Sequence, residues 1–267
     1  MKAAVFRCAL LSTLAAGACG ESARLTIDFH PRPVPLAELP PAHLAAWQGA
    51  LDDLSEAISR GGARQRGPFG LTALHLARSA AAARMLIEAH AAPDATDELG
   101  FTPLHFAQDA RVAGLLLEHR APLDSASRQG FTPLHCAAIR GDGDLLGFLI
   151  ERGADTGART RNGMTPLHWA ALSGQAEAAR RLLAAGADPN ARNRYGLTPL
   201  HEASHPEIAG LLLRAGAELE AQDERGMTPF HLAATPDVAD ALIQAGANVM
   251  ARDHSGRTPL QMVVPPP

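Results

Sequence analysis

Lysine is nearly absent from this 267-residue chain: Lys2 is the only one, and arginine supplies every other basic residue. The chain is not basic, since its net charge is −4, and this argues against general nucleic-acid binding, whose electrostatic footprint is a basic patch or stripe. Aromatic residues are also scarce, at 4% against 46% hydrophobic residues in all. A core must therefore be built from alanine and leucine, which suits stacked short helices. No apolar run reaches the roughly 20 residues that a membrane-crossing helix needs. The sequence also lacks a nucleophile elbow, a Gly-rich phosphate loop, a zinc-protease helix and spaced Cys/His ligands. It therefore gives no reason to expect an enzyme or a bound cofactor.

What is present is a repeat. Thr-Pro-Leu-His, or a near copy, begins at Thr72, Thr102, Thr132, Thr165, Thr198, Thr228 and Thr258, at intervals of 30, 30, 33, 33, 30 and 30 residues. A glycine stands two residues before each threonine, from Gly70 to Gly256, and Gly-Ala recurs at Gly153, Gly186, Gly216 and Gly246. Threonine can cap a helix with its side-chain oxygen, and proline suits the first helical position, where its missing N–H costs nothing. The apolar residues that follow, such as Leu167, Trp169, Ala170, Leu182 and Leu183, fall on two short helices. One such pair cannot bury them alone; stacked neighbours can.

On these residues the chain resembles the ankyrin-repeat family, over roughly residues 41–264. The resemblance implies an all-α solenoid of helix-turn-helix units with projecting finger loops, such as the loop from Asp188 to Gly196. Six repeats are expected over 72–257. Residues 41–71 read as a degenerate N-terminal cap repeat without the Thr-Pro-Leu-His start: Ala45, Ala46 and Gly49 match Ala170, Ala171 and Gly174. Residues 258–267 read as a C-terminal half-repeat. In the 30-residue repeats the missing residues lie between the two helices. Ser79, Asp109, His205 and Thr235 should precede the second helix, with that helix's first turn trimmed, and three of the four are good N-caps. His90 and Arg120 stand where other repeats have a glycine after the second helix, at a cost of roughly 1 kcal/mol each.

The N-terminus reads as a signal peptide over 1–18. Lys2 and Arg7 precede an apolar run from Ala9 to Ala16, followed by Ala16-Gly17-Ala18-Cys19. Small residues before a cysteine resemble the bacterial lipobox, which implies lipidation at Cys19; Ala16-Gly17-Ala18 also reads as an ordinary cleavage site. Residues 19–40, with Pro31, Pro33, Pro35 and Pro40, read as an extended tether, although Leu25 to Phe29 alternates like a short strand. The expected location is the bacterial cell envelope, either lipid-anchored or periplasmic, with secretion as the alternative. Processing would remove Cys8 and leave Cys136 alone in the repeats. Cys136 occupies the position of Leu76, Phe106, Trp169 and Leu232, so packing is its expected role.

The histidine series His75, His105, His135, His168, His201 and His231 invites a metal reading, which spacing opposes. Equivalent residues in stacked repeats sit roughly 8–10 Å apart, whereas zinc–nitrogen bonds are about 2 Å. The ankyrin resemblance implies instead a hydrogen bond from each histidine to its threonine and to neighbouring backbone. The expected function is binding of another protein, as an adaptor, scaffold or inhibitor, with no nucleic-acid partner and membrane contact only through a lipid anchor. The expected surface is an arginine-rich finger stripe facing an acidic partner: Arg128, Gln129, Arg159, Arg161, Asn162, Arg192, Arg194, Tyr195 and Arg225, with Glu224, Arg252 and His254 following. The alternative is a periplasmic protein that sequesters haem or metal through His119, His205 or His254.

Overall fold

A computed structural model of the chain describes residues 24–25, 34–35 and 38–263. The expected signal peptide at 1–18, Cys19 and most of the expected tether at 19–40 lie outside the described residues. Of the alternating run at 25–29, Leu25 is described: β1 (Arg24–Leu25) pairs antiparallel with β2 (Val34–Pro35), with Leu25 opposite Val34. The remaining described structure is helical, in two compact units, residues 1–122 and 123–267.

The first unit contains the cap pair α1 (Pro41–Gln48) and α2 (Leu51–Ser59), then the 3₁₀ turns Ala73–Leu76 and Pro103–Phe106. These turns precede α3 (Ala80–Glu88) and α4 (Ala110–Glu118) respectively. Leu54, Leu74, Leu86, Leu104 and Leu116 form its buried centre. The second unit begins with two full helix pairs, α5 (Pro133–Arg140) with α6 (Gly143–Glu151), and α7 (Pro166–Leu172) with α8 (Ala176–Ala184). Next come the 3₁₀ turns Pro199–Glu202 and Pro229–Leu232, each followed by a helix, α9 (Pro206–Arg214) and α10 (Pro236–Gln244), and finally α11 (Pro259–Val263). Leu134, Leu145, Leu149, Leu167, Leu182, Leu212 and Leu242 are buried there. Cys136 is buried among them, in the core position expected for it.

The short repeats correct the sequence expectation on one point. Their second helices do start directly after Ser79, Asp109, His205 and Thr235, but these helices are not trimmed: each has nine residues, as in the 33-residue repeats. The first helix bears the deletion and shrinks to one four-residue 3₁₀ turn. The hydrogen bonds record the change. In a short repeat the His75 N–H donates to Thr72 O at 3.0 Å, three residues back; in a long one the Cys136 N–H donates to Thr132 O at 3.2 Å, four back. An α-helix turns about 100° per residue, so removing three residues inside the second helix would swing its leucines off the core. Removing them from the end of the first helix spares that register.

Local capping explains the starts. Ser79 accepts the Ala82 N–H, Asp109 those of Arg111 and Val112, and Thr235 that of Val238, while His205 makes no side-chain cap and is followed by Pro206. At the other end of the helices, His90 and Arg120 take the left-handed conformation (φ 62° and 67°) where most repeats place glycine.

Candidate functional site

Six of the seven threonine starts are closed by a histidine. In the box at Thr165, the Thr165 N–H donates to His168 Nδ1 at 3.2 Å and the hydroxyl lies 2.9 Å from the same nitrogen. The opposite ring nitrogen, Nε2, faces the Leu197 carbonyl at 3.1 Å. His75, His135, His201 and His231 repeat the pattern, reaching the carbonyls of Phe101, Met164, Met227 and Arg257, and His105 forms the same box with Thr102. A backbone N–H can only donate and a carbonyl can only accept, so the neutral ring protonated on Nε2 satisfies both contacts. Burial pushes the pKa of His75 down to about 3 and of His168 to about 4, partly offset by the carbonyl bonds, and lowers that of His201. The rings of His75, His135, His168, His201 and His231 tie their helix starts to the base of the next finger and are already saturated by protein partners. Among the described residues, no group of three or more His, Cys, Asp or Glu is placed to hold a metal ion.

Sequence reading missed a member of this series. His43 is fully buried, and its Nε2 lies 2.9 Å from the Leu71 carbonyl. The match of Ala45-Ala46 to Ala170-Ala171 already aligns His43 with His168, but the absent threonine hides it. Pro40 stands in that place and has neither an N–H nor a hydroxyl to offer. His43 Nδ1 is accordingly buried without a hydrogen-bond partner.

The fingers are built one way throughout. In the finger at 160–164, the Thr160 N–H donates to Met164 O, the Gly163 N–H to Thr160 O, and Thr160 Oγ1 accepts the Met164 N–H. Ser127, Asn193, Asp223 and Asp253 hold the equivalent turns. Each tip in the second unit is thus two exposed residues followed by a glycine. In the second unit the tips are also bonded to one another: Arg161 N–H donates to Gln129 O at 2.8 Å, Arg194 N–H to Asn162 O at 2.9 Å, Glu224 N–H to Tyr195 O at 3.0 Å and His254 N–H to Arg225 O at 2.9 Å. Glycine is required twice over in this ladder. Gly163 has φ +77°, and a Cβ on it would lie 3.0 Å from Arg194 N and 3.2 Å from Asn193 Cα.

This geometry divides the predicted stripe. Arg159 donates to Gly163 O at 3.2 Å and Arg192 O at 2.7 Å, and Arg192 donates to Gln222 O. Both brace one finger against the next. Arg225 is drawn back onto Asp223 at 3.0 Å. Arg128, Arg161 and Arg194 make no side-chain hydrogen bond or ion pair among the described residues, and all three are exposed. Gln129 and Asn162 are exposed beside them, and Tyr195 is 56% exposed, high for a tyrosine. The carbonyl partners of Arg159 and Arg192 carry no charge, so five arginine charges stand on three fingers without an ion pair among the described residues.

Arginines on the outer helices differ. Arg181 pairs with Glu177 at 2.8 Å and Asp144 at 3.5 Å, and Arg180 with Glu207 at 3.1 Å. In the first unit a cleft of about 310 Å³ lies between α1 and α2, lined in part by Leu44, Gln48, Asp53, Glu56 and Arg60, where Arg60 and Glu56 pair with each other. Of the histidines in the alternative reading, His119 Nδ1 lies 2.9 Å from Leu115 O, His205 Nδ1 lies 3.1 Å from Ser204 Oγ, and His254 is exposed.

Comparison with known families agrees with the repeat pattern. A family model of ankyrin repeats (3 copies) matches residues 81–160, 111–193 and 134–223, and a model of the ankyrin repeat matches residues 225–254. No curated protein matches the chain. Ankyrin repeats imply a protein–protein interaction module, and proteins built from them are generally non-catalytic.

Proposed function

The chain belongs to the ankyrin-repeat family, and from that premise we propose that it is a non-catalytic adaptor, scaffold or inhibitor that grips an acidic protein partner with the fingertips of its second unit. The observation that carries this reading is the unneutralised row of Arg128, Arg161 and Arg194, with exposed Tyr195 beside it, on tips already fixed by backbone hydrogen bonds. Preorganised tips lose little entropy on binding, and arginine and tyrosine are the side chains that most often dominate contact energy. A partner that complements this row is acidic.

We further infer that the chain works at a bacterial cell envelope. Lys2, Arg7, the apolar run and Cys19 support a lipoprotein signal, and Pro31 to Pro41 support a spacer between anchor and repeats. Labelling with a palmitate analogue tests this: label should enter the wild type and be lost in Cys19→Ser. A mature chain without lipid removes the anchor. For the binding reading, a photo-crosslinker at position 195 is applied in cells. Replacing Arg161, Arg194 and Tyr195 together should abolish pull-down of the captured protein and leave the unfolding midpoint unchanged. Undiminished pull-down by the triple variant excludes the fingertip surface.

A further inference from the structure

The charge on the fingertips is ordered as well as clustered. Beyond Asp124, Asp155 and Asp188 at their bases, the fingers that end at Phe131, Met164 and Leu197 contain no acidic residue, and each carries one free arginine at its tip: Arg128, Arg161 and Arg194. The next finger, residues 219–227, reverses the sign with Glu220, Asp223 and Glu224. Two of those acids are committed to the fold. Glu220 accepts the Asn248 N–H at 2.8 Å, and Asp223 holds its turn and Arg225. Glu224 occupies the same tip position as the three arginines, is exposed, and its carboxylate makes no hydrogen bond or ion pair among the described residues. Tyr195 stands at the change of sign, its carbonyl accepting the Glu224 N–H at 3.0 Å.

We propose that this row reads charge order: it takes an extended protein segment with three acidic side chains in series followed by a basic one. The acids meet Arg128, Arg161 and Arg194, the cation meets Glu224, and an apolar portion of the segment packs on Tyr195. The proposal rests on the fingertips being the protein-binding surface. Stacked repeats advance roughly 8–10 Å, and an extended chain advances about 3.3 Å per residue. Acids two or three residues apart therefore keep step with the tips, and the flexible arginine stems absorb the remainder. The cation opposite Glu224 sets the register, because a slip by one finger puts an acid against Glu224 and a cation against Arg194. Such like-charge contacts disfavour wrong alignments more than any single exposed pair favours the right one. A nucleic-acid strand fits the row poorly: its phosphates continue past Arg194 into Glu224, and among the tips from Arg128 to Arg225 Tyr195 is the only aromatic on which a base could stack.

Fluorescence anisotropy with labelled synthetic peptides tests the order. One peptide alternates glycine with three glutamates and then a lysine, and is made in both chain directions. An isomer of the same composition has the lysine between the first two glutamates, and a third peptide has glutamate in place of lysine. The full chain should bind the ordered peptide in one direction several-fold more tightly than the isomer. Arg161→Glu with Arg194→Glu should weaken that binding roughly tenfold or more, as expected for reversing exposed charges at a complementary surface. Glu224→Arg should erase the preference and favour the all-glutamate peptide, and melting curves should not move in any of these variants. Equal binding of ordered peptide and isomer overturns the proposal. So does tighter binding of a single-stranded oligonucleotide that the arginine variants abolish. If a protein is still captured through position 195 by a chain indifferent to the peptides, only the charge order falls; if neither capture nor peptide binding occurs, the protein-binding reading falls with it.

Discussion

Acid should unfold this protein well before its carboxylates titrate, and the histidines that close the Thr-Pro starts are the reason. His75 and His168 are 2% and 0% exposed, and each presents Nδ1 to a threonine N–H, leaving no place for a second ring proton. Their folded pKa values of about 3 and about 4 lie below the ordinary 6.5. The folded state keeps both rings neutral, while the unfolded chain takes up protons as the pH falls through 6.5. The stability they contribute is thus complete above about pH 6.5 and is lost as pH falls toward the folded values. Between pH 7 and pH 5 each ring costs about 2 kcal/mol by linkage, so the pair costs about 4 kcal/mol against a typical total of about 5–15 kcal/mol. His43 and His201, also shifted down by burial, act in the same direction.

Urea unfolding followed by far-UV circular dichroism over this pH range measures the effect directly. The control comes from the last half-repeat, where Gln261 Oε1 accepts the Thr258 N–H at 3.0 Å, so a glutamine closes the same cap without titrating. His75→Gln with His168→Gln should lose stability at pH 7 through the lost carbonyl bonds. Its decline from pH 7 to pH 5 should nevertheless be shallower than that of the wild type by about 4 kcal/mol. A wild-type midpoint that is flat over this range, or a double variant that keeps the wild-type slope, refutes the assignment of neutral, Nε2-protonated rings.

Three further substitutions probe the frame. Pro40→Thr should give His43 Nδ1 both an N–H and a hydroxyl, raising the melting temperature of the first unit by a gain of about 1 kcal/mol after allowing for the lost rigidity of proline; an unchanged or lower melting temperature contradicts the account of the orphaned nitrogen. His90→Gly and Arg120→Gly relieve left-handed side chains at φ 62° and 67°, and each should stabilise by up to about 1 kcal/mol in urea titrations, with a loss of stability counting against the strain. Gly163→Ala should destabilise by more than about 1 kcal/mol, because it adds close approach to Arg194 N to the left-handed penalty. Hydrogen exchange at the Arg194 amide should rise in that variant; full protection there would show that the ladder tolerates a side chain.

What could be read from the sequence was what depends on local chemistry. A threonine, a proline and a histidine in fixed order specify a helix start wherever they fall, and a serine, aspartate or threonine before an apolar run specifies the next one, as Ser79, Asp109 and Thr235 do. The location of the three-residue deletion was not legible, because an alignment gap between two helices can be charged to either. Only the cost of rotating the leucines of the second helix decides it. The finger arginines show a second limit. Arg159 and Arg161 are identical in type and two positions apart, yet the side chain of one spans to the neighbouring finger and that of the other makes no hydrogen bond or ion pair among the described residues. That difference arises from the turn held by Thr160, which aims adjacent side chains to different sides, and no periodicity in the sequence reports it.

The two repeat lengths and the charged row bear on each other. The three arginine tips, at 128, 161 and 194, border the two 33-residue repeats, whose first helices are full α-helices at Pro133–Arg140 and Pro166–Leu172. The acidic tip at Glu224 leads into a repeat whose start is a single 3₁₀ turn, Pro229–Leu232. A 3₁₀ turn has poorer hydrogen-bond geometry than an α-helix and rarely extends. The basic fingers thus flank the best-supported helix starts of their unit, and the Arg194 finger, like the Glu224 finger, leads into a single 3₁₀ turn, Pro199–Glu202. Positioned charge is useful for recognition only when its backbone does not yield on binding. On the proposed reading, the extra three residues of the central repeats serve the recognition surface by lengthening the helices between the fingers that carry its free cations.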